Sequence, residues 1–273
     1  MELKVTRYAV DEAGVATVWL HRPERRNSWT GRMHDEYRWI CKQLDDDPKV
    51  KVIVLTGTGH TFSVGADPRA LTGYVTADHY DPALPKDAER PGYGIRPEFD
   101  TDMAWQLGMS KPMIAAVNGA CAGIAVALAA FCDLRFAVEG AKVTTATPRL
   151  GLPAEYGLSW IMPRLIGMTY AADILLTGRV FLAEELGSMG FFNKVLPEAE
   201  FAKHVDEFAH MLAAASPEAV TTAKRQLWAD LLHSDVRAAV EESKALIGAL
   251  MNKPDYAEGV AALMEKRAPK FVR

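Results

Sequence analysis

"KPMIAAVNGACAGIAVALAAFCDLRFA", Lys111 to Ala137, decides the architecture of this chain. Its middle, Met113 to Cys132, has about the twenty residues that a bilayer crossing takes, and Gly119 and Gly123 form a GxxxG. Against a continuous membrane helix stand the turn-forming pair Asn118-Gly119, the lack of a basic cluster flanking one end, and the absence of a second such run. The spacing predicts a buried strand ending near Val117, a tight turn, and a buried helix from about Gly123. A further strand follows over "CDLRFAV".

The preceding residues alternate in the same way. "LKVTRYAV" and "VATVWLH" predict two strands joined at Asp11-Glu12-Ala13-Gly14. Met33, Tyr37, Ile40 and Leu44 fall on one face of a helix. After Pro48, "VKVIVLTG" is a nearly continuous β-branched apolar run, which suits a strand buried on both faces. Such alternation predicts parallel βαβ units with right-handed crossovers. From about Phe201 helical periodicity dominates, so the expected division is an α/β core over 1–200 and a helical region over 201–273. Residues 73–100 hold Pro82, Pro85, Pro91 and Pro97 without periodicity, either a surface insertion or an ordered lid.

Composition narrows the function classes. The 273 residues are 49% hydrophobic and 24% charged, and 35 acidic side chains outnumber 31 basic ones, which argues against a nucleic-acid binder. Cys41, Cys121 and Cys132 are odd in number and show no CxxC spacing, so neither a disulfide framework nor a zinc site is expected. No basic stretch followed by an apolar run opens the sequence, which predicts no secretory leader and a reducing, cytoplasmic setting.

Three separated patterns coincide: "LHRPERRNSWT", "FSVGADPRAL" and the stretch quoted first. Together with "GLPAEYGLSWIMPRLIG", "LLTGRVFLAEEL" and a closing "FVR", they make the chain resemble the crotonase superfamily, the enoyl-CoA hydratase/isomerase family, over nearly its whole length. The resemblance implies a crotonase-like α/β spiral of ββα units with a C-terminal helical region that supports a homotrimer or a hexamer of two trimers. It implies an acyl-CoA substrate, with coenzyme A as part of the substrate, no separate cofactor, and neither nucleic acid nor membrane as partner.

By the same resemblance, the N–H groups of Ala66 and Ile124 form an oxyanion hole for a thioester enolate. Taken singly, each is also a tight turn before a helix, with Asp67 as a cap. Arg25, Arg26, Ala66, Asp67, Lys266 and Phe271 are the candidates for holding coenzyme A, against exposed arginines and helix capping as the plain alternatives. A family hydratase uses two glutamates around one water, and Ala127 and Thr147 stand at those positions here. That leaves Glu155, set among apolar residues that would raise its pKa and suit it to proton transfer. A structural loop carboxylate, or one paired with Arg149, is the competing reading; His60, His79 and Tyr80 are weaker candidates. The expected activity is double-bond isomerisation of an enoyl-CoA. Hydration, hydrolysis of a thioester or carbon–carbon bond, and non-catalytic acyl-CoA binding are the alternatives.

Overall fold

A computed structural model describes residues 1–69, 97–232 and 235–271. Strands β1 (Thr6–Val10) and β2 (Val15–Leu20) pair antiparallel, with Thr6 opposite Leu20. Asp11 closes their turn by accepting the N–H groups of Ala13 and Val15. Helix α1 (Gly31–Asp46) starts where the Thr30 hydroxyl accepts the Met33 N–H, and it buries Met33, Tyr37, Ile40 and Leu44, the stripe expected from spacing.

The stretch that separates a membrane span from a folded core resolves into four pieces. After β3 (Val52–Gly57) and β4 (Thr61–Ser63) come β5 (Met113–Val117), a turn at Asn118-Gly119, β6 (Ala120–Ala122) and α2 (Ile124–Ala130). Asn118 fixes the turn: its amide donates to the carbonyls of Gly57 and Gly59 and accepts the Gly57 N–H. Among the described residues no helix is long and apolar enough to cross a membrane.

Next are β7 (Leu134–Val138), β8 (Lys142–Thr144), α3 (Leu158–Thr177, broken at Gly167), β9 (Phe181–Leu182), α4 (Ala183–Ser188) and β10 (Lys194–Leu196). Helices α5 (Glu198–Ala213), α6 (Pro217–Ala229), α7 (Val236–Met251) and α8 (Pro254–Glu265) complete the described chain. The large sheet runs β1-β2-β3-β5-β7-β10 and the small one β4-β6-β8-β9. Each turn of the chain lays one strand in the large sheet and the next in the small one: β3 then β4, β5 then β6, β7 then β8. This is the expected spiral of ββα units. The junctions β2–β3–β5–β7–β10 and β4–β6–β8 are parallel, so their carboxyl ends lie together.

Val52, Val54, Ile114 and Phe136 on one face of the large sheet meet Phe201, Val205, Ala209 and Ala213 of α5. The other face belongs to the main core, with Ile53, Leu55, Ala115 and α2. Two-sided burial explains the continuous apolar run of β3. It also makes α5 a cover for the sheet, beyond being the start of a helical region. The lid reading of 73–100, and with it His79 and Tyr80, falls outside the described residues except at 97–100, where Pro97–Phe99 make a 3₁₀ turn that buries Phe99.

Candidate active site

The site begins where two parallel strands end side by side. β4 runs into Gly65-Ala66 and β6 into Gly123-Ile124, and the two glycine turns approach through backbone alone. A methyl on Gly65 would stand 2.8 Å from the Ala122 carbonyl oxygen, and one on Gly123 would stand 3.8 Å from the Gly65 Cα. Both have positive φ, +87° and +55°, which glycine adopts without the clash a side chain brings.

Hydrogen bonds then aim the flanking N–H groups. Trp29 donates to Gly65 O at 2.7 Å, and Asp67 donates to Trp29 O at 2.9 Å. Successive N–H groups of an extended segment point to opposite sides, so the Ala66 N–H is turned away from Trp29. Gly123 is pinned to the end of β8 through its own N–H on Thr144 O, and Ile124 is the first residue of α2, a position with no intrahelical acceptor. Among the described residues neither Ala66 nor Ile124 donates its N–H to a protein group. Two free backbone donors at touching turns can stabilise an oxyanion.

Asp67, an expected coenzyme A contact, is committed within the fold. Its carboxylate accepts Arg22 Nη1 at 3.0 Å, the Ser28 hydroxyl at 3.2 Å and the Arg69 N–H at 3.0 Å. Burial pushes its pKa up, but the Arg69 N–H, Arg22 and Ser28 outweigh that and hold it below the usual carboxylate range. Arg22 and the fully buried Asn27 are site-building residues that the sequence reading missed. Asn27 donates to the carbonyls of Thr58 and Thr61 and accepts the Arg22 N–H, stapling the 22–29 loop to the approach of β4. Arg25 and Arg26 lie on the outside of that loop, exposed and without an ion pair among the described residues.

Glu155 lies in the loop before α3. The loop is tied down by Gly157, where an added methyl would stand 3.3 Å from the Phe131 ring at the end of α2, and by Leu158 N–H on Glu155 O. The Glu155 side chain is half-buried, nothing among the described residues hydrogen-bonds or ion-pairs with its carboxylate, and burial pushes its pKa up. Arg149 is exposed and makes no ion pair with it. Ala127 is fully buried in α2, and Thr147 is buried with its hydroxyl unpartnered among the described residues.

The remaining candidates lie elsewhere. Lys266 ends α8 in a left-handed conformation and is exposed. Phe271 lines an apolar cavity of about 400 Å³ with Ile247, Leu250, Tyr256 and Leu263. His60 is exposed, 3.4 Å from Glu198, at the opposite end of the small sheet from Ala66. The three cysteines are buried and free, and burial pushes their thiols up. Among the described residues no three His, Cys, Asp or Glu side chains are placed to hold a metal ion.

Comparison with known proteins bears on the chain as a whole. The family model for enoyl-CoA hydratase/isomerase matches residues 11–273. A probable enoyl-CoA hydratase of Mycobacterium tuberculosis is 34% identical over 261 residues, covering 94% of this chain and 89% of its own. The 1,2-epoxyphenylacetyl-CoA isomerase of Escherichia coli K12 is 30% identical over 263 residues, 95% of each chain. A crystal structure of a probable enoyl-CoA hydratase/isomerase from Mycobacterium abscessus superposes with a TM-score of 0.85 at 30% identity, over 98% of both chains.

Proposed function

The chain belongs to the enoyl-CoA hydratase/isomerase family, and from that premise we propose that it shifts the double bond of an enoyl-CoA, with Glu155 as the acid/base. The observation that carries this reading is the half-buried, unpartnered carboxyl of Glu155, with its pKa raised by burial. In the proposed reaction it takes a proton from the carbon beside the thioester carbonyl. The electron pair passes to the carbonyl oxygen, where the N–H groups of Ala66 and Ile124 stabilise the enolate. The same carboxyl then returns the proton at the far end of the conjugated system. Neither Ala127 nor Thr147 has a group to activate water, and the isomerase among the relatives shows that the family includes isomerases.

Hydration is the second reading, favoured by the relatives described as probable hydratases. In both readings the coenzyme A phosphates meet Arg25 and Arg26, while Lys266 and Phe271 act from a neighbouring subunit of a trimer or a hexamer of two trimers. Exposed Ile247, Met251, Leu263 and Met264 on α7 and α8 supply apolar surface for such an assembly. A panel of enoyl-CoA thioesters, followed separately for double-bond migration and for water addition, tests the choice. Migration without hydration supports isomerisation; hydration of any member at the faster rate overturns it.

A further inference from the structure

Helix α2, which presents Ile124, is seven residues long. A helix that short does not hold itself, so its far end has to be held from outside. Two buried side chains do so. Gln106 donates Nε2–H to Leu128 O at 3.0 Å while its Oε1 accepts the Tyr37 hydroxyl at 2.9 Å. Arg135, on β7 and only 5% exposed, reaches Cys132 O at 2.6 Å and Ala130 O at 3.4 Å through Nη1, and Phe191 O at 2.7 Å through Nε.

Among the described residues the hydrogen-bond acceptors of the Arg135 guanidinium are backbone carbonyls, and the Phe191 ring lies beneath it, 5.5 Å away. Asp133, which acts on it through space, is already held by Lys224 at 2.8 Å and accepts the Trp228 indole N–H and the Met113 N–H. A guanidinium buried without its own carboxylate is expensive. Neutral donors can satisfy such carbonyls, as Gln106 does one turn away, so hydrogen bonding alone does not account for a cation here. The other end of α2 is where the negative charge of the reaction would develop. Seven residues at about 1.5 Å each put the two ends about 10 Å apart.

We infer that Arg135 is a positioning residue for the oxyanion: it clamps the C-terminal end of α2 so that the Ile124 N–H is fixed, and places a positive charge one helix length from the enolate. This rests on the enolate reading of the site. At a separation of about 10–12 Å and an effective dielectric of about 20, one charge changes an ionisation constant roughly tenfold.

The test is acetoacetyl-CoA, whose enolate absorbs in the near ultraviolet, titrated with pH on the full-length enzyme. Wild type should lower the apparent pKa of the bound ligand below that of free acetoacetyl-CoA. Arg135→Gln should cut the bound enolate at fixed pH about tenfold and lower kcat by a similar factor with KM within about threefold, while Arg135→Lys, which keeps the charge, loses less. A folded Arg135→Gln enzyme with wild-type enolate ionisation overturns the inference. If that variant does not fold, Arg135→Lys decides: a shorter side chain with a single nitrogen lacks the separate Nε and Nη1 donors that reach Phe191 O on one side and Cys132 O and Ala130 O on the other, and an enolate fraction equal to wild type removes the clamp. If neither folds, Gln106→Met, which frees Leu128 O near the same helix end and leaves the Arg135 charge in place, tests the clamp alone, and an enolate fraction equal to wild type overturns it. Bound ligand that ionises as it does in water on the wild-type enzyme refutes the Ala66–Ile124 oxyanion hole itself, a result distinct from any change at Arg135.

Discussion

Gly65 and Gly123 meet through bare backbone, with the Ala122 carbonyl wedged against the face of Gly65 where a side chain would begin. Any side chain at Gly65 has to push the two turns apart. Gly65→Ala should therefore reduce turnover by at least a hundredfold and lower the melting temperature. The added Cβ meets a carbonyl oxygen at 2.8 Å and the residue keeps a φ of +87°, a strain of about 1–3 kcal/mol. Steady-state kinetics with a thermal melt checks it; an enzyme with normal turnover would show that the spacing of the turns does not matter.

Glu155→Gln separates chemistry from stability. If the carboxyl moves the proton, turnover falls by about a hundredfold or more with little change in acyl-CoA binding. Stability should move the other way. A folded-state pKa raised above the unfolded one means that the native state binds the proton more tightly. Its contribution is therefore present at acid pH and lost as pH rises through the folded value. The variant should melt at or above wild type at neutral pH, an advantage that shrinks as pH falls through the folded value and is gone below the unfolded glutamate pKa. The acid limb of the wild-type rate should lie above the pH at which an ordinary glutamate titrates.

Asp67→Asn tests the staple behind Ala66. The Asp67 pKa is lowered in the fold, so its contribution is present above the unfolded value and lost as pH falls through the folded one. The variant should lose about 1–3 kcal/mol at pH 7, and the difference from wild type should narrow in strong acid. Urea denaturation at two pH values reads both effects.

At Thr147, the expected result is a gain. Its hydroxyl is buried without a partner among the described residues, so Thr147→Val removes an unsatisfied polar atom while keeping the shape and should stabilise by about 1 kcal/mol. If isomerisation depends on Glu155, turnover stays within about twofold; a large loss would assign Thr147 to the chemistry.

Doubly substituting Arg25→Ala and Arg26→Ala should weaken binding of a coenzyme A thioester about tenfold, an effect of about 1.4 kcal/mol, but leave a pantetheine thioester of the same acyl group unaffected. Equal affinity for both thioesters in wild type and variant would place the phosphates elsewhere.

The long elements were legible in the sequence because their burial writes a period into it: the α1 stripe, the two-sided run of β3, and the break at Asn118-Gly119. The small sheet was not. β4, β6 and β8 have three residues each and β9 has two, too few for alternation to register, and each is stabilised by partners far along the chain. Ala66, Ile124 and Glu155 could be picked out by resemblance and by the apolar company of Glu155. The commitment of Asp67 to Arg22, 45 residues away, leaves no local mark. Arg135 was concealed for a different reason: within "CDLRFAV" it reads as one charge on a strand, while its partners are carbonyls, which carry no side-chain signature.

Because the proposed oxyanion donors are peptide N–H groups, no substitution of the side chains at Ala66 or Ile124 short of proline removes them. Mutational drift otherwise reaches them only indirectly, through the glycines, Asp67 or the far end of α2. Proton transfer is vested in side chains, where a single codon change replaces or deletes a carboxylate. The two halves of such a catalyst are therefore unequally mutable: under the proposed reaction, a change at Glu155 alters the chemistry while the backbone donors pass through unaltered.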